Sequence, residues 1–165
     1  MAGGPVVPQS TFDRGVYRSG SWPARFRLYP EVSSRRYLIV QIWPSLKAMR
    51  GYLKGTYPSK ESYRRTLGMC SSFSVVAFPR GRPQRMRPIF AEVNLAAANL
   101  TMRIVTHELM HATLAYARRA SIDLAQCVAD IPGSRVCDVE ERVCSVHDRL
   151  CAGFVHRAKT LGLYE

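Results

Sequence analysis

His107 and His111 stand four residues apart in the run Thr106-His107-Glu108-Leu109-Met110-His111, and no other feature of the chain constrains its fold as much. On an α-helix a spacing of four places two side chains one above the other on the same face. Two imidazoles held that way can take two corners of a zinc tetrahedron without help from the rest of the chain. Glu108 falls on the neighbouring edge of that face, where a carboxylate can take a proton from water and later return it to a leaving group. The chemistry exists only if this segment is helical. The local sequence supplies the conditions for that. From Asn99 to Arg119 there is no Gly or Pro, Leu, Met and Ala are frequent, Asn99 can cap the start, and Arg118-Arg119 close the end. Ile104, Leu114 and Ala115 lie on the same general side as the two histidines, so the pair is expected to look inward.

The pattern H-E-x-x-H is the signature of zinc-dependent peptidases, and the third ligand separates their classes. The extended form H-E-x-x-H-x-x-G-x-x-H is excluded, because Leu114 and Ala117 occupy the Gly and His positions and no His follows before His147. The remaining class takes a glutamate from a later helix. Val139 to Lys159 contains one Gly and no Pro and reads as such a helix, with Glu140 and Glu141 near its start. Val139, Val143, Val146, Leu150 and Phe154 form an apolar stripe, flanked by Cys144 and Cys151. Glu140 lies between that stripe and the cysteines, whereas Glu141 shares the opposite side with Ser145, Asp148 and Arg149. A carboxylate on a packed side needs a partner, and zinc would be one. Glu140 is therefore the favoured third ligand and Glu141 the alternate.

These residues resemble a minimal gluzincin, similar to small phage- and prophage-associated metallopeptidases and to ImmA/IrrE-type domains. The resemblance spans residues 37 to 160 and rests on the H-E-x-x-H and the Glu140-Glu141 pair. It implies an α+β, zincin-like fold: a short mixed β-sheet whose edge strand borders the cleft, then the active-site helix and the glutamate helix. The sequence follows that order. Tyr37 to Trp43 reads as a buried strand, Ser45 to Lys54 as a helix, Ser72 to Phe78 as a second strand, and Pro88 to Leu95 as a third. The departures are a missing aspartate four residues after either glutamate, where Cys144 and Ser145 stand, and no assignable transition-state-stabilising residue. His147, His156, Tyr116 and Tyr164 are the candidates for that role.

With 165 residues the chain reads as one domain over 36–165, preceded by an irregular basic arm over 1–35 rich in Gly, Pro, Ser and Arg. No signal-peptide core or membrane-length apolar run is apparent, and the five cysteines are an odd number; a reducing cytoplasm is the expected location, the host's if a phage encodes the chain. Cys137, Cys144 and Cys151 recur every seven residues, about 10 Å apart along a helix, too far to share one tetrahedral ion. The net charge of +12, from 24 basic and 12 acidic residues, is the other strong signal. Its densest part is Arg80, Arg82, Arg85 and Arg87, expected in an exposed loop between two strands and suited to nucleic acid or an acidic protein.

Two functions follow. In the first, the protein is a zinc metallopeptidase: His107, His111 and Glu140 hold Zn2+, Glu108 activates water, and the strand near Ile89 to Asn94 pairs with an extended peptide or protein substrate. In the second, a zincin scaffold serves as a non-catalytic binding protein, nucleic-acid-associated or a phage-type regulator or inhibitor, through its basic surface.

Overall fold

A computed structural model describes residues 23–57, 63, 65–73, 88–125 and 136–163. Residues 1–22 of the expected arm, the expected strand beyond Phe73, the arginines at 80, 82, 85 and 87, Cys137's side chain and Tyr164 lie outside the described residues. Those described form an α+β fold with a mixed four-stranded sheet and three helices. In chain order these are β1 (Ala24–Leu28), β2 (Tyr37–Trp43), α1 (Leu46–Thr56), β3 (Gly68–Ser72), β4 (Ile89–Ala96), a short 3-10 turn (Ala97–Asn99), α2 (Met102–Arg119) and α3 (Val136–Thr160). The sheet order is β1-β2-β4-β3, with β2 and β4 parallel and the other neighbours antiparallel. No described helix is long and apolar enough to cross a membrane.

Three of these elements depart from the sequence expectations. β1 lies inside the stretch read as an irregular arm: Phe26 and Leu28 pack against the main core while Arg25 and Arg27 alternate between them. Five residues, two of them arginine, are too short and too charged a run to stand out before the partner strand is known. β3 covers Gly68 to Ser72, ending where the expected second strand begins. The helix with the histidines starts later than Asn99, which belongs to the 3-10 turn; Thr101 is its N-cap, and its hydroxyl accepts from the Ile104 N–H. The strand over residues 37–43, the capped helix after Ser45, the last strand and the long C-terminal helix are found within a few residues of expectation.

The sheet separates two unlike layers. On one face Leu38, Val40, Ile42, Val93 and Leu95 meet Val105, Leu109 and Ala112 of α2 and Val146, Leu150 and Phe154 of α3. An irregular register between Tyr37 and Leu38 leaves Phe90 as an extra residue on β4, and its ring meets Tyr116 of α2 with centroids 5.3 Å apart. Burial of this set is the main force docking both helices. The other face, under Met49 and Leu53 of α1, is partly polar. There Glu92 and Asn94, both fully buried, project with Gln41. Asn94 donates to Glu92 at 2.9 Å, Tyr52 donates to Glu92 at 3.0 Å, and the Trp43 indole donates to Asn94 at 2.9 Å. Buried polar atoms need such partners, and this network fixes α1 on the sheet through side chains rather than through apolar area alone.

Helices α2 and α3 run antiparallel. Thr113 meets His147, while Tyr116 and Arg142 both contact Glu31, the residue pair nearer the C-terminus of α2 being nearer the N-terminus of α3. β3 and α2 run in the same direction, since Gly68 touches Ile104 and Glu108 while Phe73 accepts a hydrogen bond from Arg119.

Candidate metal centre

The 18-residue helix α2 presents its buried face at Val105, Leu109, Ala112 and Tyr116, and the two histidines face away from it. Both are exposed, contrary to the expectation that they look inward; the helical residues that fill the core lie on the far side of the same turns. Their Nε2 atoms are 3.2 Å apart and the rings meet edge to face at 87° with centroids 4.7 Å apart. Two imidazole nitrogens on a tetrahedral zinc, each about 2.0–2.1 Å from the ion, would sit about 3.3 Å apart. The observed separation matches that bite, so the donor pair fits a zinc-type ion at two of its positions.

Glu108 sits between this pair and the sheet, 7% exposed. Burial raises its pKa; the neighbouring His107 and His111 and a hydrogen bond from the Cys70 backbone N–H pull it down but do not cancel the rise. The carboxylate can reach that N–H because residue 68 is glycine. A Cβ at Gly68 would lie 3.0 Å from Cγ of Glu108, from Cγ2 of Ile104 and from Cδ2 of Leu95. The absence of a side chain there lets the helix lie close against the edge strand. Beside this contact opens a cleft of about 380 Å³ between α2 and β3. His111, Leu114, Ala115 and Arg118 form one of its walls, a single stripe at the i, i+3, i+4, i+7 spacing, and Cys70 and Ser72 of β3 belong to another.

The glutamates of α3 are not brought to this centre. Glu140 and Glu141 are both exposed, and among the described residues no third His, Cys, Asp or Glu joins the two histidines. The expectation that Glu140 faces a packed side fails for a definable reason. The apolar stripe is buried only from Val146 onward, at Val146, Leu150, Phe154 and Ala158; Val139 and Val143, on which the helical phase partly depends, are half-exposed. The first turns of α3 lie toward the C-terminal end of α2, where Arg142 is held to Glu31 at 2.8 Å, past the turn that carries the histidines.

The residues considered for stabilising a transition state are also elsewhere. His147 lies between the helices, 3.3 Å from the Thr113 hydroxyl and 3.6 Å from the Cys151 sulfur. Tyr116 is buried in the core and bonded to Glu31, and His156 is exposed on the last turns of α3. The strand from Ile89 to Asn94, expected to pair with substrate, is interior, flanked by β2 and β3. Hydrophobicity picks it out because it is buried; among the described residues the outer strands are β1 and β3, and the one beside α2 is β3, whose Gly, Met, Cys and Ser have no strong strand signature. Glu92 and Asn94 also go unmarked by the sequence motifs. Two polar residues spaced by two in an apolar strand are the signal of a polar layer on one face.

No family model, curated protein or solved structure matches the chain.

Proposed function

We propose that the protein is a zinc-dependent hydrolase of peptide bonds, with His107 and His111 holding the metal and Glu108 as the general base. One observation carries this reading: two exposed imidazoles with Nε2 atoms 3.2 Å apart, one residue away from a desolvated carboxylate on the wall of a cleft. The mixed sheet, with an antiparallel edge strand beside the helix that carries the pair, supports the resemblance to minimal gluzincins.

Bound at the pair, zinc would supply a Lewis acid for the scissile carbonyl and make a water more acidic. The remaining steps belong to the chain. An extended peptide pairs with the outer edge of β3 by main-chain hydrogen bonds, which sets its carbonyl against α2. Glu108, held by the Cys70 N–H, accepts a proton from the attacking water at its carboxylate and delivers it to the departing amine. Burial keeps the carboxylate basic enough for this exchange, and the apolar neighbours Leu114 and Ala115 limit competing water. The test compares wild type with Glu108→Gln for hydrolysis of an unstructured protein substrate in the presence of zinc. Turnover in the wild type and its loss in Glu108→Gln, with zinc binding retained, is the expected result. Equal hydrolysis by both, or none by either when zinc is bound, favours the non-catalytic binding protein instead.

A further inference from the structure

We infer that the cleft recognises a carboxylate on its substrate, and that Arg118 is the residue that reads it. This rests on the peptidase reading of the same site but concerns what the site selects. Arg118 is exposed and shares one helix stripe with His111, so both belong to the same cleft wall. Its neighbour Arg119 is committed to the scaffold, since its guanidinium donates to the Phe73 carbonyl at the end of β3 and its own carbonyl accepts from Arg36. No described acidic residue forms an ion pair with Arg118, and Glu31, which does pair, is taken by Arg142. The cleft therefore has the carboxylate of Glu108 at one end and, at the other, a guanidinium that no described acidic residue compensates. A guanidinium fork offers paired donors matched to a carboxylate, and the net charge of +12 draws acidic chains toward the surface as a whole.

Spacing turns this into a substrate register. Seven helical residues separate His111 from Arg118, a rise of about 10.5 Å at 1.5 Å per residue. An extended peptide advances about 3.3 Å per residue. The recognised carboxylate thus lies about three residues from the part of the peptide beside His111, and about four to five from the bond presented to Glu108, which is ten helical residues from Arg118. Two sources share this chemistry, an Asp or Glu side chain and the free carboxyl end of a peptide.

The experiment measures dissociation constants by fluorescence anisotropy for labelled decapeptides binding the full-length, zinc-loaded Glu108→Gln protein, which removes turnover from the readout. One set carries a single Glu, Gln or Lys scanned through the peptide; a second compares free and amidated C-termini. The preference for Glu over Gln is expected to be about fivefold, at one position. Adding Arg118→Ala should erase the preference, Arg118→Lys should retain part of it, and Arg118→Glu should turn it toward Lys. A free-terminus effect without a side-chain effect assigns the site to peptide ends, and the reverse assigns it to internal acidic residues; either supports the inference. Peptides that bind without regard to charge, or a charge preference that survives Arg118→Ala, overturn it. Failure of the peptidase reading has a different signature: the preference appears in binding while the wild type cleaves none of these peptides.

Discussion

The two long helices share one core but use their lengths in opposite ways. α2 is anchored along its whole length, with buried residues from Val105 to Ala117, and its two histidines lie on the flank left over. α3 is anchored through its second half, Val146 to Ala158, and the described residues of its first turns are exposed or half-exposed, with Arg142 held to Glu31. A motif five residues long is meaningful on the first helix because packing on one side fixes where the other side points. The same kind of phase argument misleads on the second, because a stripe of apolar residues says which face packs but not how far along the helix the packing extends.

The largest effect should come from the anchored half of α3. Phe154 is fully buried and its ring lies 5.9 Å from Phe26 of β1. Phe154→Ala should cost about 3–5 kcal/mol in denaturant unfolding. A cost below about 1 kcal/mol would show that α3 is not docked as described and would remove the contrast between the helices. Next is the seam between α2 and β3. Gly68→Ala forces a Cβ against Glu108, Ile104 and Leu95 at 3.0 Å and should cost about 1–3 kcal/mol. It should also reduce turnover beyond that loss of stability, since Glu108 has to move from the Cys70 N–H.

A smaller effect belongs to the tie that Arg142 makes on the first turns of α3. Burial alone would raise the pKa of Glu31, but hydrogen bonds from Arg142 and Tyr116 outweigh it and hold the group below its ordinary value of 4.5. A depressed carboxylate contributes stability that is present above 4.5 and is lost as pH falls through the lowered value. Both partners are partly exposed, 51% for Arg142 and 32% for Glu31, so Glu31→Gln should cost less than about 1 kcal/mol at pH 7. Thermal unfolding of both proteins from neutral to acid pH should show the difference closing on acidification; a gap that widens contradicts the assignment. Smallest are Glu140→Ala and Glu141→Ala. Each should change stability by less than about 0.5 kcal/mol and leave zinc affinity unchanged, as exposed residues apart from the histidine pair. Loss of zinc affinity in either would place the first turns of α3 at the metal after all.

Much of the scaffold was legible in the sequence because periodicity reports burial. The run Tyr37 to Trp43, the capped helix after Ser45 and the Gly- and Pro-free stretch around His107 each carry a local signal strong enough to stand alone. β3 carries none: Gly-Met-Cys-Ser-Ser becomes a strand because β4 pairs with it and because Gly68 admits α2. The same gap explains why β4, an interior strand, was expected at an edge. A buried run advertises itself, while an open edge is a property of topology. Within the centre, His107, Glu108 and His111 were legible because one helical turn suffices to place them. Arg118 was visible only as part of a basic helix end, and its place on the cleft wall depends on a strand the sequence did not mark.

Whether His107 and His111 chelate a metal can be measured. Zinc titrated into metal-free protein by calorimetry, with each histidine replaced in turn, tests it most directly. One zinc per chain is expected in the wild type and an affinity at least about a hundredfold weaker in either His107→Ala or His111→Ala, each variant keeping its fold because both side chains are exposed. Zinc binding of equal strength in all three proteins, or none in the wild type, would contradict it.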